Sequence, residues 1–173
     1  TGIRASHNFF AGKSIVQACF SLGEDGAPGA GGCPNGQSED TTSPNAARHF
    51  PTSPTSDHGT HVSGIATGND PTHVPPLYGV ARGADIIAVQ VFSQFPSACG
   101  EFPWCVLSWG SDLIAGLEYV YSLRSTYNIA SANMSLGGGF YNNQAACDAD
   151  NAGVKAAIDN LRSVGIATAI ASG

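Results

Sequence analysis

Two kinds of apolar segment alternate along this chain. Ile86–Phe92 and Ile166–Ala171 are short runs rich in β-branched and small apolar residues, as in strands that are buried on both faces. Leu113, Leu117 and Tyr121 recur at the spacing that places side chains on one face of a helix. Strands that alternate with helices predict an α/β fold with a mostly parallel central sheet and helices on its faces.

The remaining elements follow the same two patterns. Further strands are predicted over residues 13–20 and 129–134, and further helices over 57–67 and from Val154 to an end near Gly165. Residues 21–56 and 69–83 are rich in Gly, Pro, Ser and Thr and are predicted as loops. No change of composition divides the chain, so its 173 residues are predicted to belong to one domain.

The composition excludes two classes of function. Apolar residues make up 42% of the chain and charged residues 12%, which is typical of a globular protein. The net charge is -6 and Lys and Arg form no cluster, so no nucleic-acid partner is expected. The longest strongly apolar run, Ile86–Phe92, is far too short to cross a membrane.

The five cysteines do not have the spacing of a Cys-x-x-Cys metal site. Cys19 and Cys33 bracket a glycine-rich loop, and Cys99 and Cys105 bracket a loop rich in proline and aromatic residues. Two disulfides, one closing each loop, would indicate a secreted protein. Cys147 would then pair outside this chain. The alternative is five buried free thiols.

The most specific motif is Asp57–Gly64, which reads Asp-His-Gly-Thr-His-Val-Ser-Gly. A polar pair opens the predicted helix, and Gly59 permits close backbone contact. The motif resembles the histidine motif of the subtilase family of serine proteases. The resemblance implies that His58 is the catalytic general base and that His61 is a structural neighbour.

Elementary chemistry supports a histidine in that role. A serine hydroxyl is a poor nucleophile until a base removes its proton, and imidazole titrates near neutral pH. The positive end of the helix dipole disfavours a protonated ring at His58. Two alternatives stay open: His58 is only structural, or His58 and His61 bind a metal ion with a third ligand elsewhere.

A second segment, Asn133–Gly139, resembles the subtilase segment that lines the substrate cleft. In that family the substrate binds as an extended strand against exposed backbone, which suits almost any peptide. The resemblance assigns this edge to Ser135, Leu136 and Gly137, and Gly137 leaves room for the side chain that precedes the scissile bond. Without the resemblance, the segment is a strand that runs into a glycine turn.

A weaker match, Ser111–Glu118, resembles the helix that follows the opposite wall of the cleft. Val106–Ser108 would then form the second backbone edge that holds the substrate. Residues 93–105 depart from the simpler family members and resemble an insertion closed by a disulfide. The insertion either reshapes specificity or is an inert surface loop.

The two ends of the chain also resemble family motifs. Thr1–Ile3 is similar to the end of an Asp-Thr-Gly-Ile motif, and Ala171–Gly173 is similar to the strand before the oxyanion asparagine. The catalytic aspartate is therefore expected just before Thr1, and the asparagine and the serine after Gly173. A fragment that holds only His58 is expected to be inactive.

The resemblance as a whole implies a three-layer α/β sandwich that acts as a secreted serine endopeptidase. We expect polypeptide substrates, no cofactor, no metal site, no membrane contact and a monomeric state. Residues Gly68–Leu77 correspond to a calcium loop of the family but are altered, so no calcium site is predicted there. A non-catalytic peptide-binding relative is the main alternative, and a metal-dependent hydrolase is the second.

Overall fold

The structure is a computed structural model that describes residues 1–24, 26, 31–50, 57–95, 100 and 105–172. The chain forms two compact units, Thr1–Asp112 and Leu113–Gly173. The strands are β1 (Ile15–Phe20), β2 (Glu39–Asp40), β3 (Asn69–Asp70), β4 (Leu77–Tyr78), β5 (Ile86–Gln90), β6 (Ser93–Phe95), β7 (Cys105–Leu107), β8 (Ser131–Met134) and β9 (Ala167–Ile170). The helices are α1 (His58–Thr67), α2 (Gly110–Ser122), α3 (Gln144–Asp150) and α4 (Ala152–Ser163). Single 3-10 turns cover Asn8–Phe10 and Leu123–Ser125.

The first unit is built on the parallel pair of β1 and β5. Ile15 lies opposite Ile86, and the register continues to Cys19 opposite Gln90. β-Branched side chains on both strands suit a pleated surface that packs on one or both faces. Strand β2 adds an antiparallel partner on the other edge of β1. The strands predicted over 13–20 and 86–92 are therefore present, each slightly shorter than predicted.

Residues 69–83, which were predicted as a loop, contain the antiparallel pair of β3 and β4. Asp70 closes the turn between them, because its Oδ1 accepts hydrogen bonds from Thr72 N (3.0 Å), Thr72 Oγ1 (2.6 Å) and His73 N (3.2 Å). The bond from the Thr72 hydroxyl is the largest cause that holds the pKa of Asp70 below its ordinary value. The Oδ1 atom is thus used within its own turn.

The second unit packs helices α2 and α4 against the parallel pair of β8 and β9. Its core contains Leu117, Met134, Leu161 and Ile166, and Leu161 is fully buried. Helix α4 ends at Ser163, just before Gly165, whose φ of +83° is a conformation that favours glycine. The predicted end of this helix near Gly165 is confirmed. Helix α3 was not predicted.

The cysteines behave partly as expected. Cys19 and Cys33 form a disulfide, so the alternative of five free thiols is wrong. Cys105 is also disulfide-bonded, and its predicted partner, Cys99, lies outside the described residues. Cys147 is a free thiol in α3.

The α/β class is evident, because helices and parallel strand pairs occur in both units. A single, mostly parallel central sheet inside a three-layer sandwich stays a prediction. Within the described residues, no helix is long and apolar enough to cross a membrane.

Candidate functional site

The first turn of α1 determines where the His58 ring lies. The helix begins at His58, and Asp57 precedes it without capping the helix through its side chain. Instead, the Asp57 carboxylate accepts a bond from the Arg4 guanidinium at 3.0 Å. The Arg4 backbone N–H also donates to Thr60 Oγ1 at 2.8 Å. The amino-terminal segment is therefore fastened to the start of this helix at two points.

A third attachment lies directly beside the imidazole. The Gly59 N–H donates to Thr1 Oγ1 at 2.8 Å, and the same hydroxyl lies 3.4 Å from His58 Nδ1. A Cβ on Gly59 would overlap the carbonyl oxygen of Gly2, so no larger residue fits there. The predicted need for close backbone contact at Gly59 is therefore met by a specific neighbour.

Gly2 is constrained in the same way. Its φ is +76°, and a Cβ would lie 2.7 Å from the carbonyl oxygen of Ala47. The next residue, Ile3, is buried and donates its N–H to Ala47 O at 2.7 Å. These contacts hold the Thr1–Ile3 segment between the 47–48 segment on one side and α1 on the other.

The environment of His58 favours the neutral ring. Burial of part of the imidazole is the largest cause that lowers the pKa of His58. The residue nevertheless stays exposed as a whole, so a reacting group has access to it. A neutral and accessible imidazole can accept a proton at neutral pH.

His61 lies one turn along α1, on the wall of a pocket of about 490 Å³ that belongs to the first unit. The pocket is also lined by Arg4, His7, Asp57 and Tyr78. Among the residues that the structure describes, no three His, Cys, Asp or Glu side chains are grouped so that they could hold a metal ion. His58 and His61 thus have no third ligand within that part of the chain.

The predicted cleft segment follows β8 in the second unit. Ser135 Oγ accepts a hydrogen bond from Asn133 Nδ2 at 3.0 Å, and Leu136 packs partly against the core of this unit. A Cβ on Gly137 would meet no atom within 4 Å. Within the described residues, the backbone groups of 135–137 have no hydrogen-bond partner.

The second predicted edge, Val106–Ser108, lies in the first unit. Val106 pairs with Gln94 in the antiparallel hairpin of β6 and β7. The Ser108 hydroxyl donates to Val91 O at 2.5 Å. The ends of residues 93–105 are therefore an ordered hairpin, and the interior residues 96–99 and 101–104 lie outside the described part.

Sequence reasoning missed Arg4, Thr60 and the pocket beside His61. It identified Thr1–Ile3 only through its resemblance to a motif. The sequence offered one indication of this contact, namely Gly2 after Thr1 and Gly59 after His58. A glycine permits the close approach of another backbone because it has no Cβ. The partner of each glycine required the fold.

Comparison with known proteins agrees with the motif. The family model for the subtilase family of peptidases matches residues 1–173. A subtilisin-like protease 4 of Trichophyton equinum is 35% identical over 106 residues, which cover 58% of this chain and 23% of that protein. An alkaline proteinase of Hapsidospora chrysogena is 31% identical over 144 residues, which cover 81% of this chain and 24% of that protein. The chain spans about a quarter of the length of these relatives. No solved structure matches it.

The lowered pKa of His58 gives a first prediction. In an NMR titration of the 173-residue chain, the His58 ring should titrate below 6.5, with the spectrum of His58→Ala used to assign the signal. Between the folded-state pKa and 6.5, the unfolded chain binds a proton that the folded chain does not. The free energy of unfolding should therefore fall as the pH drops through this window. A pKa at or above 6.5 would show that the described environment is wrong.

Proposed function

Because this chain belongs to the subtilase family, we propose that it is part of a secreted serine endopeptidase in which His58 is the general base. The observation that carries this proposal is the position of the ring. Nδ1 faces Thr1 at 3.4 Å, and Nε2 has no hydrogen-bond partner among the described residues. One nitrogen is thus directed towards the amino-terminal segment and the other is available for a substrate-side group.

The reaction we propose is acyl transfer. A serine hydroxyl attacks the peptide carbonyl while His58 Nε2 accepts its proton, and the tetrahedral intermediate expels the amine after His58 returns that proton to the leaving nitrogen. Water then attacks the carbonyl of the acyl-enzyme while His58 Nε2 accepts a proton from the water. His58 returns this proton to the serine oxygen, which leaves as the acid product is released. No cofactor takes part.

A carboxylate on the Nδ1 side would complete the base. It would hold the proton on Nδ1, so that Nε2 is the free acceptor, and it would stabilise the imidazolium that forms. The contact between Thr1 and Nδ1 supports placing this carboxylate on the residue before Thr1. The serine would follow the matched region. Residues 1–173 alone would then lack both groups and would not hydrolyse peptides.

We propose that residues 135–137 and residues 106–108 each offer a backbone edge against which an extended peptide substrate can pair. The first edge is supported by the backbone groups of Ser135, Leu136 and Gly137, which have no partner in the part of the chain that is described. Main-chain hydrogen bonds would give affinity for many peptides, and pockets would select side chains. We place residues 1–173 within one peptidase domain that is a three-layer sandwich around a mostly parallel sheet. The protein would act as a monomer.

The role of His58 can be tested in the full-length protein that contains this chain. His58→Ala should lower kcat/KM on casein by about 10⁴-fold or more, because the hydroxyl loses its proton acceptor. His61→Ala is the matched control, since it removes the same side chain one turn away, and it should lower kcat/KM by less than about tenfold. If His61→Ala inactivates the enzyme and His58→Ala does not, the assignment of the base is wrong.

The open space above Gly137 gives a second test. Gly137→Val should lower kcat/KM on peptide substrates by about 10- to 200-fold, because the new side chain would occupy the place of a substrate group. The melting temperature should not change, since a Cβ at this position meets no atom within 4 Å. Gly83→Val is the control, because a Cβ on Gly83 also meets no atom within 4 Å and Gly83 belongs to neither predicted edge. Full activity of Gly137→Val would exclude this residue from the cleft.

A further inference from the structure

The loop closed by the Cys19–Cys33 disulfide contacts the segment that follows the second peptide edge. Cys19 is fully buried in β1 and Cys33 is nearly so. The two legs of the loop also meet through Gly32, whose N–H donates to Ser21 O at 2.9 Å. A Cβ on Gly32 would overlap the Ser21 hydroxyl, so these backbones are in close contact. The disulfide therefore joins two legs that are already packed together.

A buried pair of hydroxyls connects this loop to β6. Ser21 Oγ and Ser93 Oγ lie 2.7 Å apart, and Ser21 Oγ also donates to Phe92 O at 3.1 Å. The Gly23 N–H donates to Ser93 Oγ at 3.1 Å. Because both serines are fully buried, each lost partner would leave an unsatisfied polar group in the interior. The leg from Ser21 to Gly23 is thus fixed to the strand that pairs with β7.

Trp109, which follows the peptide edge, contacts the Ser21–Gly23 leg. Its indole Nε1 donates to Gly23 O at 2.9 Å, and its ring lies 5.8 Å from the ring of Phe95. Three residues further on, the Asp112 carboxylate accepts the Leu22 N–H at 3.2 Å. Asp112 is buried, and burial raises its pKa, so this bond lies in a poorly solvated place. The segment after the edge therefore has two bonds to the loop.

The edge itself lies between these two supports. Val106 and Leu107 pair with β6, and Ser108 is held by the carbonyl of Val91. In the part of the chain that is described, β7 has no strand on its other side. A peptide strand could add there only if the backbone of 106–108 keeps its position. Trp109 follows directly and sets where this edge ends.

From this arrangement we infer that the Ser21–Gly23 leg, braced by the Cys19–Cys33 disulfide, holds the peptide-binding edge Val106–Ser108 in place, with Trp109 as the positioning residue. This inference rests on the proposed function. Binding of extended peptides, which reach this edge, should therefore depend on the disulfide. Short substrates that occupy only the site next to the scissile bond do not depend on it.

The kinetic test compares two substrates of the full-length protein. One is a peptide with four residues before the scissile bond, and the other is an N-acetylated amino-acid ester. Trp109→Phe keeps an aromatic ring but removes the indole N–H, and Cys19→Ala/Cys33→Ala removes the disulfide. For each variant, KM for the peptide should rise about fivefold, as expected when a displaced edge loses about one hydrogen bond to the peptide. The kcat for the peptide and both constants for the ester should stay within about twofold.

Two controls match these variants. Tyr127→Phe also removes one polar hydrogen from an aromatic residue, and Tyr127 lies in the other unit. Cys147→Ala removes a cysteine that has no disulfide partner among the described residues. Neither control should change KM for the peptide. Combining Trp109→Phe with Cys19→Ala/Cys33→Ala should raise KM for the peptide little more than either variant alone, because both variants loosen the same edge.

A second readout does not need activity. Amide hydrogen exchange of residues 105–107 should become about fivefold faster when Cys19 and Cys33 are replaced. Unchanged exchange would overturn the inference while the proposed function stands. Equal loss of kcat on both substrates would also overturn it, since that indicates only a general structural role. A wild-type protein that hydrolyses neither substrate would refute the proposed function, and the exchange rates alone would then decide whether the loop holds the edge.

Discussion

The close contact between the backbones of Gly2 and Gly59 is the constraint on which the candidate site depends. A Cβ on Gly59 would overlap the Gly2 carbonyl, and a Cβ on Gly2 would crowd the carbonyl of Ala47. Three chain segments that are far apart in sequence therefore meet where there is space only for hydrogen atoms. Since His58 directly precedes Gly59, this contact fixes the backbone position from which the imidazole extends.

The polar interactions around this contact contribute unequally to the stability of the folded chain. The pair of Arg4 and Asp57 is about half exposed on both sides, so it contributes only about 0–1 kcal/mol. The bond from the Arg4 backbone to Thr60 involves a buried hydroxyl, and a net contribution of about 1 kcal/mol is typical of such a bond. The steric fit of the glycines and the buried bond matter more than the visible ion pair. The site is therefore expected to tolerate high salt concentrations.

The sequence predicted the long regular elements well, because their apolar patterns are strong. Helix α1 ends before Gly68 and strand β5 begins at Ile86, both as the patterns indicate. Helix α3 was missed since it is short and lacks a buried face, although Asn143 caps it through a bond to Ala146 N. The hairpin of β6 and β7 was missed because its pairing is set by tertiary contacts of Ser93 and Ser108.

The candidate site was predictable only in part. The residue type and the motif identify His58, but its ring contacts Thr1 and the adjacent Asp57 pairs with Arg4, and both partners are more than 50 positions away. No periodicity carries such information. The support for residues 106–108 is similar: Trp109 and Gly23 are 86 positions apart, and neither has a pattern that indicates the other.

The central claim is that the Nε2 atom of His58 receives the proton of a serine nucleophile. Its most direct test is a crystal structure of the full-length protein without inhibitor, in which the nucleophile is identified beforehand by covalent labelling with a fluorophosphonate. The oxygen of the labelled serine should lie within about 3.2 Å of His58 Nε2. If the oxygen of the labelled residue lies more than about 6 Å from this nitrogen, with another base beside it, His58 is not the base.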